Sequence, residues 1–342
     1  MNSYRQYDRR YIVRALGASA MLAGSSGRLF AQSPAYVMKI GTLTLNDAQH
    51  EWMKIFANIV ETDSKGQIKA ELYPAGQLGS APRMIEGVQF GSMQVFAGPP
   101  EFLSGVDSRY EILGAPALFK DAAHANRAVL NSEFNKAFLA LGANKGLKGI
   151  GLFINDPTVF NTRSKIEKLS DFNGKKIRVL ASPIQTEQLR TLKATAVPMS
   201  LGEVLPALQQ GTIDGVMSVL PVLTALRFYD AAKFVLESDQ AMVTVGSVAS
   251  KLWYDKLPKQ LQAVVDNAGQ KASAQVFPWA TDFAAKQRAA WTANGGTITK
   301  LPREEQEQLM TMLRPIGPEV TSRKPEEKAL FDLLLKTATA TA

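Results

Sequence analysis

The strongest constraint on the fold is a helix–glycine–strand unit that the sequence contains twice. Residues 78–98 and residues 197–218 each have a serine cap, a short helix with one apolar face, a glycine stop and an apolar strand. The capping serines and the terminating glycines are Ser80 and Gly91 in the first unit and Ser200 and Gly211 in the second. Two such units favour two α/β lobes of similar build; the alternative is coincidence, because the unit is common.

The rest of the chain alternates strands and helices in the same way. A strand, an amphipathic helix and a second strand are predicted at 36–43, 50–66 and 68–76. A long helical run follows Pro258 and extends to Asn294, and Pro278 is predicted to kink or split it. A helix of this length is long enough to join two lobes. Two terminal helical segments are predicted at 302–317 and 322–342.

The N-terminus has the anatomy of a secretory signal. Residues 1–31 contain five arginines and one acid, then a small-residue apolar stretch at 15–23, and Ala31 offers a cleavage point before a polar residue. Arg9 and Arg10 resemble the twin-arginine pair of bacterial export signals. We therefore predict that residues 1–31 are removed on export to the periplasm. A basic cytosolic helix is the alternative.

Bulk composition argues against several classes of function. The net charge is +8, but without residues 1–31 the chain holds 34 basic and 30 acidic residues, evenly mixed, which does not indicate nucleic-acid binding. The sequence has no cysteine, which excludes disulfides and thiolate metal sites. No segment after the signal reaches the about 18 apolar residues of a membrane span, so we expect no membrane-embedded part in the mature protein.

Sequence motifs for catalysis are also missing. The chain has two histidines and neither lies at metal-ligand spacing, and no nucleophile elbow, phosphate loop or dinucleotide fingerprint is present. We predict a structural role for His124 on a solvated helix face, and a helix-entry role for His50. No cofactor or metal is expected. A secreted α/β enzyme remains the alternative, because catalytic carboxylates need not be close in sequence.

Arg178 is the residue that raises a specific question about function. It lies in a short apolar strand, between Ile177 and Val179, after an Asn-Gly turn. A guanidinium buried among apolar residues is costly unless it meets an anion. From the residues alone, an internal carboxylate and a carboxylate ligand that arrives from outside are both open.

Five segments together resemble one known family, the solute-binding proteins of TRAP (tripartite ATP-independent periplasmic) transporters, in the group that binds C4-dicarboxylates and similar acids. The resemblance extends from Tyr36 to the region of Asn294. The segments are YPAGQLGS at 73–80, APALFKDAAHANRAV at 115–129, LSDFNGKKIRVLASP at 169–183, AVPMSLGEVLPALQQGTIDGVMS at 196–218 and LRFYDAAKFV at 226–235.

The resemblance implies a two-lobe periplasmic-binding-protein fold with hinge strands, a ligand cleft between the lobes and a long helix that spans both. Lobe I would comprise 36–154 with about 244–279, and lobe II 155–243 with about 280–342. It also implies capture of a small organic carboxylate and its delivery to the membrane permease subunits. Arg178 would bind that carboxylate through two parallel hydrogen bonds. A binding protein of an ABC transporter or of a sensory receptor is the alternative.

Other family positions depart from the common pattern. Met217 and Ser218 occupy places where many relatives have Glu and Asn, and Pro157 falls where some sugar-acid binders have a second arginine. Leu201 replaces a bulky aromatic residue, and Gly98 replaces a ligand-contacting acid. Because these departures reduce polarity, we hypothesise a cleft that prefers a less hydroxylated aliphatic or aromatic monoacid over a sugar acid.

Two further positions complete the predicted site. Asn155 lies at the crossing into the second lobe, where its amide would either hydrogen-bond a ligand or cap the hinge. Phe228 and Tyr229 match an aromatic pair of the family, and core packing is expected for at least one of them. The predicted ligand-binding residues are therefore Arg178, Ser218, Asn155, Leu201, Met217, Phe228 and Gly98.

Overall fold

The computed structural model describes residues 34–342, so the predicted signal segment lies outside the described part of the chain. These residues form a mixed α/β fold around a sheet of nine strands, which confirms the predicted fold class. The strands are β1 (Tyr36–Gly41), β2 (Ile68–Tyr73), β3 (Val95–Gly98), β4 (Leu147–Thr162), β5 (Lys176–Val179), β6 (Thr195–Pro198), β7 (Gly215–Ser218), β8 (Phe234–Ser250) and β9 (Thr297–Thr299).

The sheet has a parallel group of strands at each end and two long antiparallel strands between them. Its order is β2-β1-β3-β8-β4-β7-β5-β6, and β9 pairs with β8. Strand β1 is parallel to β2 and β3, while β5 is parallel to β6 and β7. The antiparallel strands β4 and β8 join the two groups. This is the arrangement expected of two α/β lobes that share their central strands.

Strands β4 and β8 carry the chain from one parallel group to the other. They contain 16 and 17 residues, far more than the other strands, and they pair antiparallel along most of their length. The register shifts around Asn155 in β4, and near the same level β8 bulges out at residues 238–241. Bulges bend strands and interrupt the ladder of hydrogen bonds. The predicted crossing near Asn155 therefore coincides with an irregular segment of both strands.

Twelve α-helices connect or flank the strands in residues 34–342. They are α1 (Ala48–Asp63), α2 (Ala81–Phe90), α3 (Ala122–Leu130), α4 (Ser132–Leu139), α5 (Pro183–Thr191), α6 (Leu201–Gln210), α7 (Leu220–Ala225), α8 (Lys251–Tyr254), α9 (Lys259–Ala293), α10 (Arg303–Leu313), α11 (Ile316–Thr321) and α12 (Pro325–Ala340). Short 3₁₀ helices cover, among others, Pro100–Leu103 and Ser108–Gly114.

The repeated unit of the sequence forms the same structure in both places. Helices α2 and α6 end at the predicted glycines, Gly91 and Gly211, which adopt positive φ values of 79° and 73°. Only glycine enters this left-handed region without strain, which is why each helix ends there. Glu203 accepts a hydrogen bond from the backbone N–H of Ser200 at 3.1 Å, as in a capping box.

Helix α9 is a single helix of 35 residues that continues through Pro278, so of the two predicted outcomes the split does not occur, and the kink stays a prediction. Proline removes one backbone hydrogen bond and crowds the preceding turn, at a cost of about 3 kcal/mol. Packing on both sides of Pro278 offsets that cost: the first half of α9 lies against α1 and β4, and the helix also packs against α7. Helix α9 therefore contacts helices that flank the two different parallel groups, α1 and α7.

The last helix, α12, packs against α3, α4 and the turn at Ser108–Gly114. These elements fall within the residues predicted for lobe I, so the contacts of α12 cross the predicted division of the chain. His124 anchors this packing and is 3% exposed, so the solvated position predicted for it is wrong. Its Nδ1 accepts from the backbone of Lys120, and its Nε2 then donates to the carbonyl of Ala338 at 2.7 Å. A structural role is therefore what its contacts support.

Two of the buried apolar clusters lie on opposite sides of the crossing. In the first, the ring of Trp52 on α1 stacks on Phe56 at 4.7 Å and on Phe153 of β4 at 6.2 Å. The second includes Phe228 and Trp291, packed around β7 and the second half of β4. A third and larger cluster contains residues from both sides, among them Phe96 of β3 and Ile177 of β5, so the buried cores of the two parallel groups are continuous.

Candidate functional site

A cavity lies at the carboxyl ends of four strands, two from each parallel group. Thr44 follows β1, Pro99 follows β3, Leu180 follows β5 and Val219 follows β7, and all four line this cavity. In open α/β sheets this edge is where ligands bind, because the loops there converge while the strands hold them in place. The cavity is small: about 50 Å³ of it can hold the centre of a water-sized sphere.

The walls of the cavity are mostly apolar, and Arg178 is the one charged residue among its 16 lining residues. Apolar side chains provide nine of the lining residues, including Phe102, Leu201 and Met217. The uncharged polar residues are Thr44, Gln49, Asn155, Thr158, Gln185 and Ser218. A single cation in an apolar, partly polar enclosure is suited to one anionic group attached to a small organic body.

Arg178 lies in the middle of β5 and is 2% exposed. Its Nε and Nη2 donate to the carbonyl oxygen of Met199 at 3.1 and 3.0 Å, which fixes the plane of the guanidinium. Within residues 34–342 no carboxylate forms a salt bridge with it, and burial lowers its pKa to about 10, so it stays protonated at neutral pH. The internal ion pair, the alternative left open by the sequence, is therefore not observed in the described chain.

Asn155 is a deeply buried uncharged residue of β4 that lines the cavity at the crossing. It is 4% exposed, and neither its Oδ1 nor its Nδ2 has a hydrogen-bond partner among residues 34–342. It occupies the position in β4 where the register with β8 shifts, between Ile154 and Asp156. A hinge-capping role would require a bond from this amide to the backbone, and the described residues provide none.

On the side of the cavity that follows β1, the polar side chains are hydrogen-bonded to one another around the buried Asp47. Its Oδ1 accepts from the hydroxyl of Thr44 at 2.8 Å and from the N–H of His50, and its Oδ2 accepts from Gln49 at 3.1 Å. The amide oxygen of Gln49 in turn accepts from the hydroxyl of Thr42 at 3.2 Å. Burial raises the pKa of Asp47 above its ordinary value, although these hydrogen bonds act in the opposite direction.

The structure brings five of the seven predicted site residues to this cavity: Arg178, Asn155, Leu201, Met217 and Ser218. Met217 and Ser218 are the last residues of β7, and Leu201 begins α6. Each position follows from the local sequence, because a strand or a capped helix ends or begins there. Their contact with a ligand remains a prediction.

The other two predicted residues, Gly98 and Phe228, lie outside the lining. A Cβ added to Gly98 would meet the ring of Phe96 at 2.6 Å, so this glycine accommodates a core aromatic residue. Phe228 is buried in the second apolar cluster, beside Trp291 and β7. Each therefore has a packing role that accounts for its residue type, and core packing was the role expected for at least one of the aromatic pair.

Sequence reasoning missed the polar residues that reach the cavity from outside the matched segments. Thr44 and Gln49 follow β1, and Thr158 lies on β4 three residues beyond Asn155. Gln185, on α5, accepts from the N–H of Leu180 and leaves its amide nitrogen without a partner in the described chain. The available signal was their place after strands whose carboxyl ends share one edge of the sheet.

One buried acid, Asp156, lies near the crossing but outside the cavity lining. Burial raises the pKa of Asp156 to about 7, the positive charge of Arg288 opposes this, and Glu237 and Asp239 reinforce it. Arg288 itself forms a 2.6 Å ion pair with Glu237. These charges lie where β4 and β8 bulge, so they bear on the stability of the crossing rather than on the cavity.

Residues 34–342 contain no helix that is long and apolar enough to cross a membrane. In the same part of the chain, no group of three or more histidine or acidic side chains is placed to hold a metal ion.

Known proteins with this sequence pattern and fold are solute-binding proteins. The family model described as bacterial extracellular solute-binding protein, family 7 (DctP) matches residues 41–324. The 2,3-diketo-L-gulonate-binding periplasmic protein YiaO of Escherichia coli is 27% identical over 327 residues, which are 95% of this chain and 91% of YiaO. A solute-binding protein of Verminephrobacter eiseniae is 30% identical over 69% of this chain and 71% of its own length.

The fold agrees with these sequence matches. A TRAP periplasmic solute-binding protein of Desulfovibrio salexigens, solved with bound orotic acid, superposes with a TM-score of 0.85 at 23% identity and covers 90% of this chain and all of that one (100%). The family model spans both parallel groups of the sheet and the cavity between them. The chain therefore belongs to family 7 of the bacterial extracellular solute-binding proteins, the DctP family of TRAP transporter binding proteins.

Proposed function

We propose that this protein binds a small organic monocarboxylate in the cavity and delivers it, in the periplasm, to the membrane permease of a TRAP transporter. The observation that carries the proposal is the guanidinium of Arg178, which is buried at the cavity wall without an anionic partner in residues 34–342. A buried cation of this kind is stabilised when a carboxylate accepts two hydrogen bonds from its free N–H groups. The free groups are on Nη1 and Nη2, because Nε and one N–H of Nη2 bond Met199.

The charge balance of the cavity favours a ligand with one negative charge. Arg178 is the only cation among the lining residues, and the opposite wall is backed by the carboxyl group of Asp47. A second carboxylate on the ligand would be desolvated without a cation to compensate it, which is unfavourable by several kcal/mol. A monoacid is therefore preferred over a diacid.

The apolar walls favour a ligand with a compact, weakly hydroxylated body. Leu201, Met217 and Phe102 offer dispersion contacts but no hydrogen bonds to a sugar hydroxyl, so each hydroxyl facing them would lose its bond to water. Orotic acid, bound in the Desulfovibrio protein, is a flat ring with one carboxyl group, whereas diketogulonate, in the name of YiaO, is a sugar acid. The walls fit the flat ring better.

Binding is coupled to closure of the lobes. The cavity is lined by residues that follow β1 and β3 on one side and β5 and β7 on the other, so a ligand that contacts both sides stabilises the closed form. The permease partner would recognise that closed form. Uptake by a TRAP permease uses an ion gradient, so this subunit requires no nucleotide.

The test is thermal unfolding of the purified protein, stripped of co-purified ligand, with orotate, benzoate, D-galacturonate, succinate and uncharged uracil. A ligand at 100 times its Kd adds about 2.7 kcal/mol, which raises Tm by several degrees in a chain of this size. We expect a shift with a monocarboxylate, a smaller shift with succinate and none with uracil. The proposal is wrong if uracil or another neutral compound shifts Tm while no carboxylate does.

A matched variant shows whether a shift depends on Arg178. Arg178→Lys retains the positive charge but not the planar pair of donors, and it should lose most of the shift. Arg303→Ala removes an arginine whose side chain is 91% exposed, far from the lining residues, and should keep the whole shift.

A further inference from the structure

Two asparagines on strand β4 differ in what their side chains contact. The Nδ2 of Asn161 donates to the carbonyl oxygens of Ala232 at 2.8 Å and Phe234 at 3.0 Å, so it ties β4 to the segment that enters β8. Asn155, six residues earlier, is 4% exposed against 0% for Asn161; the amide oxygens of both lack a partner among residues 34–342, but only Asn155 also leaves its N–H₂ group unpaired. Only Asn155 lines the cavity.

A buried amide without hydrogen-bond partners lowers the stability of the folded protein, so a functional reason for it is expected. Leaving both a donor and an acceptor without hydrogen bonds costs the desolvation of each group, and native structures avoid this except at functional positions or where water enters. The position in a β-bulge matters here, because a bulge redirects a side chain from the regular face of its strand. In β4 it directs the amide to the ligand cavity rather than to the core.

We infer that Asn155 is a specificity-determining residue that binds a neutral polar group of the ligand, at a point separate from the carboxylate held by Arg178. The group must offer an acceptor to Nδ2 and a donor to Oδ1, as a hydroxyl, an amide or a ring with adjacent N–H and C=O does. The ligand class is thus a monocarboxylate with one such group on a compact body. This inference rests on the proposed function, since it assumes that Arg178 binds the carboxylate.

The selectivity follows from the cost of leaving Asn155 unpaired. A site built to hydrogen-bond a polar group discriminates strongly against an analogue that lacks it, because the buried amide then stays unpaired in the closed cavity. Hydrocarbon acids of similar size fill the apolar walls but leave the amide without a partner. Diacids satisfy the amide oxygen poorly, because an ionised carboxylate only accepts hydrogen bonds.

The experiment is calorimetric titration of the ligand-free protein with two sets of monocarboxylates. The polar set is orotate, 4-hydroxybenzoate and D-galacturonate, and the apolar set is benzoate and hexanoate. We expect the tightest polar acid to bind at least about tenfold more tightly than either apolar acid. In Asn155→Leu this ratio should fall to near one, since the polar acid loses affinity and benzoate does not.

Stability of the ligand-free variants separates this role from a structural one. Asn155→Leu, and Asn155→Ala as a variant that cannot clash, should keep the Tm of the wild-type protein or exceed it, because they remove an unpartnered buried amide. Asn161→Leu, the matched control, should lower Tm, because it breaks two hydrogen bonds. A fall in Tm for both Asn155 variants would mean that Asn155 supports the fold, and the inference would be wrong.

Two binding outcomes distinguish a failure of this inference from a failure of the proposed function. If benzoate or hexanoate binds as tightly as every polar acid, or if Asn155→Leu leaves the ratio unchanged, Asn155 does not determine specificity, although Arg178 still binds carboxylates. If no acid of either set binds and Arg178→Lys behaves like the wild-type protein, the proposed function itself fails, and the inference fails with it.

Discussion

The two walls of the cavity use polar residues in opposite ways. On the wall after β1, Asp47, Thr44 and Gln49 satisfy one another through hydrogen bonds of 2.8 to 3.1 Å. On the wall formed by β4 and β5, Asn155 and Arg178 keep donors that no group in residues 34–342 accepts. Both walls are buried, so the difference lies in pairing and not in exposure.

This difference indicates which wall binds the ligand and which wall supports the shape of the cavity. Groups that are already paired resist change and give a wall its shape, whereas unpaired groups destabilise the free protein and become satisfied when a ligand arrives. We therefore expect the β4–β5 wall to hold the ligand first and the β1 wall to close over it. Changes on the first wall should alter binding more than stability, and changes on the second should do the reverse.

The largest expected effect is that of Arg178→Ala. Removing one partner of a buried charge pair costs about 4 kcal/mol in binding, which is a loss of roughly 1,000-fold in affinity for the preferred carboxylate. Stability of the ligand-free variant should change little, because the loss of two hydrogen bonds to Met199 is offset by removal of a buried charge that no carboxylate within residues 34–342 pairs with. Calorimetry and thermal unfolding measure the two effects. Unfolding of the ligand-free variant at a much lower temperature would assign Arg178 to the scaffold instead.

The free energy of unfolding should depend on pH through Asp156, which lies where β4 and β8 bulge. Burial, opposed by Arg288 and reinforced by Glu237 and Asp239, raises its pKa in the folded state to about 7, whereas the unfolded value is about 3.9. The native state then binds more protons than the unfolded state between these values, so this carboxyl lowers the free energy of unfolding as the pH rises from about 4 to about 7.

Asp156→Asn should remove that contribution. The neutral amide is expected to raise the free energy of unfolding at pH 8 by about 4 kcal/mol and to change it little at pH 4, where the carboxyl of the folded wild-type protein is protonated. Urea denaturation at the two pH values measures this. Equal effects of the substitution at both pH values would contradict a raised pKa.

Asp47→Ala tests the paired wall. It removes the cap of α1 and the acceptor of Thr44 and Gln49, so we expect a loss of about 2 kcal/mol in the free energy of unfolding. Asp121→Ala removes the cap of α3 outside the cavity and should cost about 1 kcal/mol. Carboxylate affinity should weaken in the first variant only. If the Asp47→Ala protein kept its stability but lost all binding, the β1 wall would serve binding rather than stability, contrary to this account.

Ser218→Ala should have the smallest effect. The hydroxyl of Ser218 lies at the end of β7 in the cavity lining, and a single hydrogen bond to a ligand contributes about 1 kcal/mol, which is roughly fivefold in Kd. Ser164→Ala, a serine outside the lining, is the control for titration. Unchanged affinity in Ser218→Ala would remove Ser218 from the site and leave Arg178 and Asn155 as its polar contacts.

Local sequence patterns predicted the helices, strands and site residues whose positions are determined by residues next to them in the chain. The repeated unit placed α2, α6 and β7, and therefore Leu201, Met217 and Ser218. An arginine in an apolar strand could be recognised without the fold, because its burial raises the question of an anion. Asn155 was located by its position at the crossing, which the family resemblance supplied.

Long-range packing decided most of the features that were missed. His124 has the spacing of an exposed helix residue, but α12, more than 200 residues later, covers it. One missed feature is local: Gly98 has no side chain because the ring of Phe96, two residues earlier in the same strand, occupies the space. The pairing of Asp47 with Gln49 depends on how the turn before α1 folds, which apolar periodicity does not describe. Helix α9 passes Pro278 because distant elements hold both halves.

The central claim is that Arg178 binds an anionic group of the ligand. Calorimetric titration of the ligand-free protein with orotate, 4-hydroxybenzoate and D-galacturonate, each beside its uncharged methyl ester, tests it most directly. The account predicts that at least one acid binds and that its ester binds at least about 100-fold more weakly, because the ester cannot compensate the buried guanidinium. An ester that binds as tightly as its acid would contradict the account.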